Sequence, residues 1–263
     1  MINITRNKSK YVRDLKLAEE YLAHKLYYKL NPILKKIFVE TSIQLKHGDP
    51  LNIVPTIVNR YTNPIKTELE KQYRVVGQYS YNKVIGRINE VNNKKYYRKE
   101  NQESFWYFFN TWIRSQGLSK VTMVNETTKN ILRKIIDKGL KEGKTYEQIA
   151  KEIRSIEEIS SRNRSLMIAI TESHTAFSKS IFESIQSTNI EMDSKEWWNA
   201  GDDRVREAEF NHVIAQGEKV GMNEQFVMTG EPLDYAGDYK GSPGNIIRCR
   251  CFNLYNTAPG EIR

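Results

Sequence analysis

The residues whose types and spacing could do chemistry lie near the C-terminal end of the chain, in a Cys-Arg-Cys segment. Cys249 and Cys251 are the only cysteines among 263 residues, which excludes a disulfide scaffold. Residues two apart on a strand point to the same face. Both thiols are therefore expected to lie inward, unbonded to each other because so short a ring would be strained. Together with His212, they supply three of the four ligands that a zinc site needs.

Two interpretations of this segment stay open. In one, Asp202, Asp203 or Asp238 adds a fourth ligand and the group binds zinc. In the other, the cysteines are small buried hydrophobes beneath a strand and no metal is bound. The sequence favours the second interpretation, because Cys-x-Cys is a weaker zinc signal than Cys-x-x-Cys. We therefore expect no cofactor, and zinc is the alternative.

A dense group of charges, Asp202, Asp203, Arg204 and Arg206, follows a glycine turn. Such a group could hold a phosphate or a reacting group. Its composition is more typical of a structural role, because aspartate caps turns and paired Arg and Asp side chains can hold together a small domain with little core. We predict that these four residues are structural.

Hydrolase and nucleotide chemistry are not indicated elsewhere in the sequence. Ser173 and His174 are neighbours on a predicted helix, where their side chains diverge by about 100°. A Ser-His-Asp site would need them brought together with an acid in a pocket. His24 and His47 lie in a basic surface context and suggest no site. The sequence has no Gly-rich phosphate-binding loop, so a nucleotide cofactor is not expected.

The elements that must position these residues form two regions. Before about residue 190, apolar residues recur at helical spacing. Asn31-Pro32 is expected to break the first helix, since the residue before proline avoids the helical region. Ser119 is expected to cap one later helix, and Thr145 with Gln148 matches a capping box for another. The predicted helices cover about residues 11–30, 32–47, 65–91, 96–112, 120–140, 145–156 and 161–187.

One predicted helix is dense in aromatic residues. Their helical spacing indicates core, and the alternatives are stacking on bases and docking onto a partner. The side chains expected in this core are Phe105, Phe108, Phe109, Trp112 and Ile113. On the next helix, the side chains expected to face inward are Val124, Thr127, Ile131, Ile135 and Ile136.

After Asn189, glycine and proline become frequent and short apolar runs of strand length lie between them. Strands are predicted at 196–198, 225–228 and 245–254. The predicted fold class is therefore α+β: an elongated, mainly α-helical N-terminal body followed by a small C-terminal α+β domain with a short sheet. The predicted segments are a basic helical region at 1–118, a helical region at 119–190 and the C-terminal domain at 191–263.

Charge is unevenly distributed along the chain. Residues 1–120 carry 22 Lys and Arg against 10 Asp and Glu, whereas residues 191–263 carry 8 against 13. A basic front of this kind could face a polyanion, so we expect non-specific contact with double-stranded DNA through its phosphates. The sequence shows neither an apolar run long enough to span a membrane nor a secretory signal, so no membrane partner is expected.

An ordered series of motifs occupies roughly residues 165–252. It consists of Ile168-Ala169-Ile170-Thr171-Glu172, then Lys195-Glu196-Trp197, the Asp202, Arg204 and Arg206 group, His212 ahead of Gly217, Gly237-Asp238, and Arg248-Cys249-Arg250-Cys251. In order and spacing, the series resembles the phage Mu protein F-like family, the minor head or head-morphogenesis proteins of tailed phages. The chain departs from the family's usual pattern at Gln216, Tyr239 and Arg248, where the family has Asp, Pro and Asn.

The resemblance implies a structural role in the virion. Family members are associated with the portal vertex and are not an established enzyme class. The implied partners are the portal protein and, further, scaffolding or major capsid protein. The implied location is the virion or procapsid interior near the portal, and the host cytoplasm during assembly. The structural motif residues that it implies are Trp197, Asp202, Arg204, Arg206, His212, Gly217, Asp238, Cys249, Arg250 and Cys251.

A function of a different class is the alternative. The C-terminal domain would then be a zinc-dependent or transferase-type enzyme or toxin domain that uses His212, Cys249 and Cys251. Bound zinc would favour this alternative, whereas a mostly helical protein without metal would leave it with no chemistry.

Overall fold

The computed structural model describes residues 8–46, 49–92, 99–188 and 190–257. Helices dominate this part of the chain up to residue 186. They are α1 (Lys8–Gln44), α2 (Pro50–Arg60), α3 (Thr62–Asn92), α4 (Lys99–Ser115), α5 (Lys120–Lys141) and α6 (Tyr146–Gln186), with a 3-10 turn at Gly117–Ser119. The C-terminal part contains β1 (Met192–Trp198), β2 (Lys219–Gly221), the short helix α7 (Pro243–Ile246) and β3 (Phe252–Thr257).

The three strands form one antiparallel sheet in the order β2-β1-β3. Lys195 at the middle of β1 pairs with Val220 on one side and with Tyr255 on the other. All strands of the described residues follow the helical body, so the α+β class is confirmed. The strand predicted at 225–228 is wrong: there the chain forms a single bridge, between Phe226 and Leu233. None of the described helices is both long enough and apolar enough to cross a bilayer.

Pro32 does not end α1, which contradicts the predicted break. The helix continues to Gln44 with Pro32 inside it. Leu30, Leu34 and Phe38 lie on both sides of the proline and are fully buried, so a continuous apolar face compensates for the hydrogen bond that proline cannot donate. The predicted stop at Gly48, His47, the chain from Asn93 to Tyr96 and the predicted boundary residue Asn189 lie outside the described residues.

α6 is one helix where two were predicted. Its 41 residues contain neither glycine nor proline, and the charged stretch in the middle marks an exposed face instead of a break. The predicted capping box at its start is confirmed: the Thr145 N–H donates to Gln148 Oε1 at 2.8 Å, and the Gln148 N–H donates to Thr145 Oγ1 at 3.3 Å. Ser119 makes no capping bond to α5, and its hydroxyl donates to the Gln116 carbonyl instead.

Two side chains that were predicted to lie in the core, one on α4 and one on α5, are exposed. Phe108 is 52% exposed, because it lies at the edge of the stripe that Phe105, Phe109 and Trp112 bury. On α5, Thr127 is exposed and the buried face runs through other residues. The buried side chains of that face are Val121, Val124, Asn125, Thr128, Lys129, Leu132 and Ile136.

The chain divides into two compact units, and neither is continuous in sequence. The first comprises Met1–Leu22, Gln72–Arg114 and Ile170–Arg263, and the second comprises Ala23–Lys71 and Ser115–Ala169. The first unit contains the sheet, α4 and the C-terminal half of α6. The predicted division of the chain at residues 118 and 190 stays a prediction.

Candidate functional site

The three predicted ligand side chains come together in the first unit. His212 Nδ1 lies 3.4 Å from Cys251 Sγ and 3.7 Å from Cys249 Sγ. All three ligand atoms lie within 4.8 Å of one another. The residues are 2% (His212), 2% (Cys249) and 1% (Cys251) exposed, and both cysteines are free. The prediction that the thiols lie inward and unbonded to each other is confirmed.

The Cys-Arg-Cys segment is not a strand, which contradicts the prediction for 245–254. α7 ends at Ile246, a turn follows, and pairing in the sheet begins only at Phe252. The Cys249 N–H donates to the Ile246 carbonyl at 3.0 Å, so a turn positions the first thiol. Within that turn, Arg248 has a φ of 55°, in the left-handed region that interrupts extended structure.

A chain of hydrogen bonds determines which nitrogen of His212 faces the thiols. Burial raises the pKa of Glu231, but hydrogen bonds from Ser242 and Asn245 hold that pKa below its ordinary value. The Glu231 side chain is therefore an ionised carboxylate, which can only accept hydrogen bonds. Its Oε2 accepts from Asn245 Nδ2 at 3.1 Å, which turns Asn245 Oδ1 towards His212 Nε2, 2.7 Å away. Nε2 therefore carries the hydrogen, and the lone pair of Nδ1 is directed at the two sulfurs.

A second histidine, His174 of α6, lies beside this group and was not predicted as part of it. It is fully buried, and its Nδ1 lies 3.1 Å from Glu19 Oε2. Its Nε2 makes no hydrogen bond. Burial alone would lower the pKa of His174, but the charges of Glu19 and Cys249 raise it to about 10.

The two thiols differ in acidity. The hydrogen bond from Cys251 and the charge of His174 outweigh burial, and they hold the pKa of the Cys249 thiol well below its ordinary value. Burial raises the pKa of the Cys251 thiol. The site therefore favours the thiolate form of Cys249, which is the form in which cysteine binds a metal.

Asp202 holds the residue between the two cysteines. Its carboxylate pairs with Arg250, with Oδ2 2.9 Å from Nη2, and with the ammonium of Lys16 at 3.2 Å. Arg204, which is exposed, pairs with the same carboxylate at 3.4 Å. Burial raises the pKa of Asp202, but the hydrogen bond from Lys16 and the charges of Arg250 and Lys16 hold that pKa below its ordinary value. The structural role of Asp202 and Arg250 stays a prediction.

Arg206 holds the turn that leads to Cys249. Its guanidinium donates to the main-chain carbonyls of Asn245 and Ile247, the latter at 2.7 Å. These carbonyls lie at the end of α7, where the helix leaves them without internal partners. Arg206 therefore acts on the backbone next to the thiols and does not contact the ligand atoms.

The aspartates predicted as a fourth ligand do not join the group. Asp202 is occupied by its cations, and Asp203 is exposed. Asp238 is fully buried, and its carboxylate accepts the backbone N–H groups of Asp234 at 2.9 Å and Lys240 at 3.1 Å. Burial raises the pKa of Asp238. Its contacts are those of a turn cap.

Trp197 and Gly217 form the wall behind His212. The Trp197 ring is fully buried and meets the His212 ring edge-on, with centroids 5.4 Å apart and planes at 87°. The Gly217 N–H donates to the Trp197 carbonyl at 2.9 Å. Gly217 has a φ of 81°, which favours glycine at this position.

One family of known proteins matches this part of the chain. The profile of the family described as Phage Mu protein F like protein matches residues 130–254, which include α6, β1 and the whole ligand group. No curated protein and no solved structure matches the chain significantly. The family points to head morphogenesis and to association with the virion or procapsid. Over residues 130–254, this chain is similar to the phage Mu protein F-like family.

Proposed function

We propose that this protein is a minor head protein of a tailed phage or prophage, which acts in head morphogenesis at the portal vertex and contacts packaged DNA without reading its sequence. The observation that carries the proposal is the family match over residues 130–254. Its proposed partners are the portal protein, scaffolding or major capsid protein, and double-stranded DNA. Its proposed location is the interior of the procapsid and virion near the portal.

The charge of the N-terminal helices supports the DNA contact. On α1, Lys25, Lys29 and Lys36 are exposed, and at about 100° per residue their spacing puts them on one face of the helix. Lysines in such a row can contact successive phosphates, which gives affinity that is independent of sequence and falls steeply with salt.

Charge reversal in the full-length chain tests this contact. Fragments cut at residue 120 would not serve, because the first unit combines residues from both sides of the cut. We expect Lys25→Glu, Lys29→Glu and Lys36→Glu together to weaken binding to a random-sequence duplex. Wild-type affinity should fall by orders of magnitude between about 50 and 200 mM salt.

A matched control lies on α5, where Lys134, Lys138 and Lys141 are also exposed on one face. Their triple replacement by Glu changes the net charge by the same amount and should leave DNA binding much less affected. Equal losses in both triple variants, or wild-type binding that does not respond to salt, would contradict the DNA contact.

An exposed aromatic pair on α4 supports docking onto the portal. Tyr107 is 69% and Phe108 is 52% exposed, and their rings meet edge-on with centroids 5.2 Å apart. Exposed aromatic residues of this kind are enriched at protein interfaces. The pair is therefore the first place to test for portal contact.

Capture by the portal protein from the same genome tests this docking. We expect Tyr107→Ser with Phe108→Ser to abolish capture of the full-length chain. Leu51→Ser with Ile159→Ser is the control, since it removes two apolar side chains that are 77% and 66% exposed. A wild-type chain that the portal does not capture would contradict the proposal, and capture lost equally in both variants would contradict the role of α4.

The site geometry gives no support to the alternative of a zinc-dependent or transferase-type enzyme or toxin. His212, Cys249 and Cys251 are each at most 2% exposed, so a substrate could reach the sulfurs only if the surrounding chain opened. A reactive cysteine or a catalytic metal needs an accessible position. The burial of the group supports a structural role within a head protein.

A further inference from the structure

The distances within the ligand group fit one metal ion. With Zn–S bonds of about 2.3 Å, Zn–N bonds of about 2.0–2.1 Å and tetrahedral angles, the nitrogen and sulfur ligands of a zinc ion are about 3.6 Å apart. His212 Nδ1 lies 3.4 Å from one sulfur and 3.7 Å from the other. The three donor atoms are thus spaced as ligands around a common centre.

The orientation of His212 also fits. Metal-binding histidines use one nitrogen for the metal and donate the other N–H to a neighbouring oxygen. Here Asn245 Oδ1 accepts from Nε2 at 2.7 Å, and Glu231 orients the Asn245 amide. Without a metal, the lone pair of Nδ1 would have only the weak S–H donors of the two cysteines as partners in this buried site.

His174 lies beside this group, outside the three ligand atoms that are within 4.8 Å of one another, and would move towards them to supply the fourth bond. Its Nδ1 is held by the Glu19 carboxylate, as in carboxylate–histidine–zinc arrangements, and its buried Nε2 makes no hydrogen bond. The His174 ring meets Phe252, the residue after Cys251, edge-on with ring centroids 5.8 Å apart. Gly237 leaves the ring its space, because a Cβ there would lie 2.9 Å from Nε2.

We propose that Cys249, Cys251, His212 and His174 bind one structural zinc ion. Two thiolates and two imidazoles are soft and borderline donors, which suit zinc and exclude magnesium or calcium as the resident ion. Four protein ligands in a closed, buried site are the pattern of a structural centre. The proposal does not depend on portal or DNA contact.

The ion would stabilise a part of the chain that has little regular structure. It would join α6, through His174, to the turn at His212 and to the segment that enters β3. Small domains with short sheets often need such a cross-link in addition to their hydrophobic core. The zinc would therefore hold the C-terminal part of the chain on α6.

Metal analysis of the full-length chain, purified under reducing conditions, is the first test. We expect one zinc per chain by elemental analysis. Cobalt added to the zinc-free protein should give the thiolate-to-cobalt charge-transfer absorption and the visible bands of a tetrahedral site, and magnesium should not compete. A fully reduced chain that retains no zinc and gives no thiolate–cobalt band would overturn the proposal.

Variants then test each ligand. Cys249→Ala and His212→Ala should abolish zinc retention, and His174→Ala should lower zinc affinity, while His24→Ala, at an exposed histidine, should bind as the wild type does. Circular dichroism of α1 to α6 establishes that each variant is folded. If His174→Ala binds zinc as tightly as the wild type, the assignment of the fourth ligand is overturned.

A pair of asparagines separates orientation of the ligand from general stability. Asn245 and Asn253 are both buried. Asn245 is hydrogen-bonded to His212, whereas the side chain of Asn253 accepts a hydrogen bond from the Ala236 N–H at 2.7 Å. We expect Asn245→Ala to lower zinc affinity about 10- to 100-fold. Asn253→Ala should leave it unchanged. Equal zinc affinities of the two variants would show that Asn245 does not orient a metal ligand.

Discussion

The aromatic core of α4 in the helical body and the C-terminal part of the chain are stabilised by different kinds of contact. In α4, Phe105, Phe109 and Trp112 stack with centroids 5.3 and 5.4 Å apart and nearly parallel planes. This is hydrophobic burial, which depends on area and volume. After residue 190, strands are short, and many buried residues are polar or charged. Those buried polar residues include Lys195, His212, Thr229, Asp238, Asn245 and Asn253.

Lys195 shows how the C-terminal part uses polar contacts. Its ammonium donates to the Asp234 carbonyl at 2.7 Å and lies over the rings of Phe182 and Phe226, each 5.3 Å from Nζ. Burial lowers its pKa. Such contacts have direction as well as strength, so removal of one partner leaves the other buried and unsatisfied. The aromatic core of α4 should therefore respond to lost volume, and the C-terminal part to lost partners.

The largest expected effect is on the body. Phe109→Ala should lower the free energy of unfolding by about 3–5 kcal/mol, because it leaves a cavity between Phe105 and Trp112. The adjacent Phe108→Ala should change it by less than about 0.5 kcal/mol, since this ring is exposed. Denaturant unfolding of the full-length chain measures both. Similar losses for the two variants would contradict the assignment of the buried face.

The next effect is on the C-terminal part. Arg206→Met removes the donors to the Asn245 and Ile247 carbonyls and should cost about 1.5–3 kcal/mol, the range for hydrogen bonds with a charged partner. Arg204→Met is the control, because its guanidinium is exposed. Thermal melts and proteolysis of residues 199–257 report the loss. If Arg206→Met is tolerated as well as Arg204→Met, buried volume and not hydrogen bonding stabilises the C-terminal part of the chain.

The sequence predicted the presence of the helices better than the residues at which they begin and end. Periodicity identified the buried stripes, but Phe108 and Thr127 show that it does not resolve the edge of a face. Local signals also failed where packing dominates: Pro32 lies inside α1, and the charged middle of α6 continues the helix. These errors arise because long-range burial, which a local pattern does not contain, decides whether a helix tolerates an unfavourable residue.

The candidate site was predicted in part. His212, Cys249 and Cys251 were identified from their types and from their order in the chain, and the structure brings them together. His174 was set aside, because its partner Glu19 lies 155 residues away in sequence and no local spacing connects the two. The available signal was the run of polar residues at 171–175, all of them buried, since buried polar groups need partners.

Acid sensitivity should separate two adjacent aspartates. The pKa of Asp202 is lowered in the folded chain, so its contribution to stability is present above the unfolded value of about 3.9 and is lost as pH falls through the lower folded value. Asp202→Asn should therefore be less stable than the wild type at neutral pH, and the difference should shrink below about pH 4. Asp203→Asn, at an exposed position, should show no such difference. Urea unfolding across pH measures this, and a constant deficit for Asp202→Asn would contradict the ion-pair role.

The smallest expected effect is a gain in stability at Arg248. Its φ of 55° lies in the left-handed region, which costs an ordinary residue roughly 1 kcal/mol and which asparagine adopts more readily. The Arg248 side chain is exposed. The backbone N–H of Arg248 donates a hydrogen bond to Thr171 Oγ1 at 3.2 Å, and any residue except proline would keep this bond.

Arg248→Asn should therefore raise the free energy of unfolding by up to about 1 kcal/mol. Arg248→Lys is the matched control: it keeps the positive charge and the same backbone preference, so its stability should equal that of the wild type. The measurement is the denaturant midpoint at constant slope, which reports stability alone. If asparagine destabilises the chain while lysine does not, the positive charge at this turn contributes more than backbone strain costs. The C-terminal part would then depend on charge even at its exposed positions.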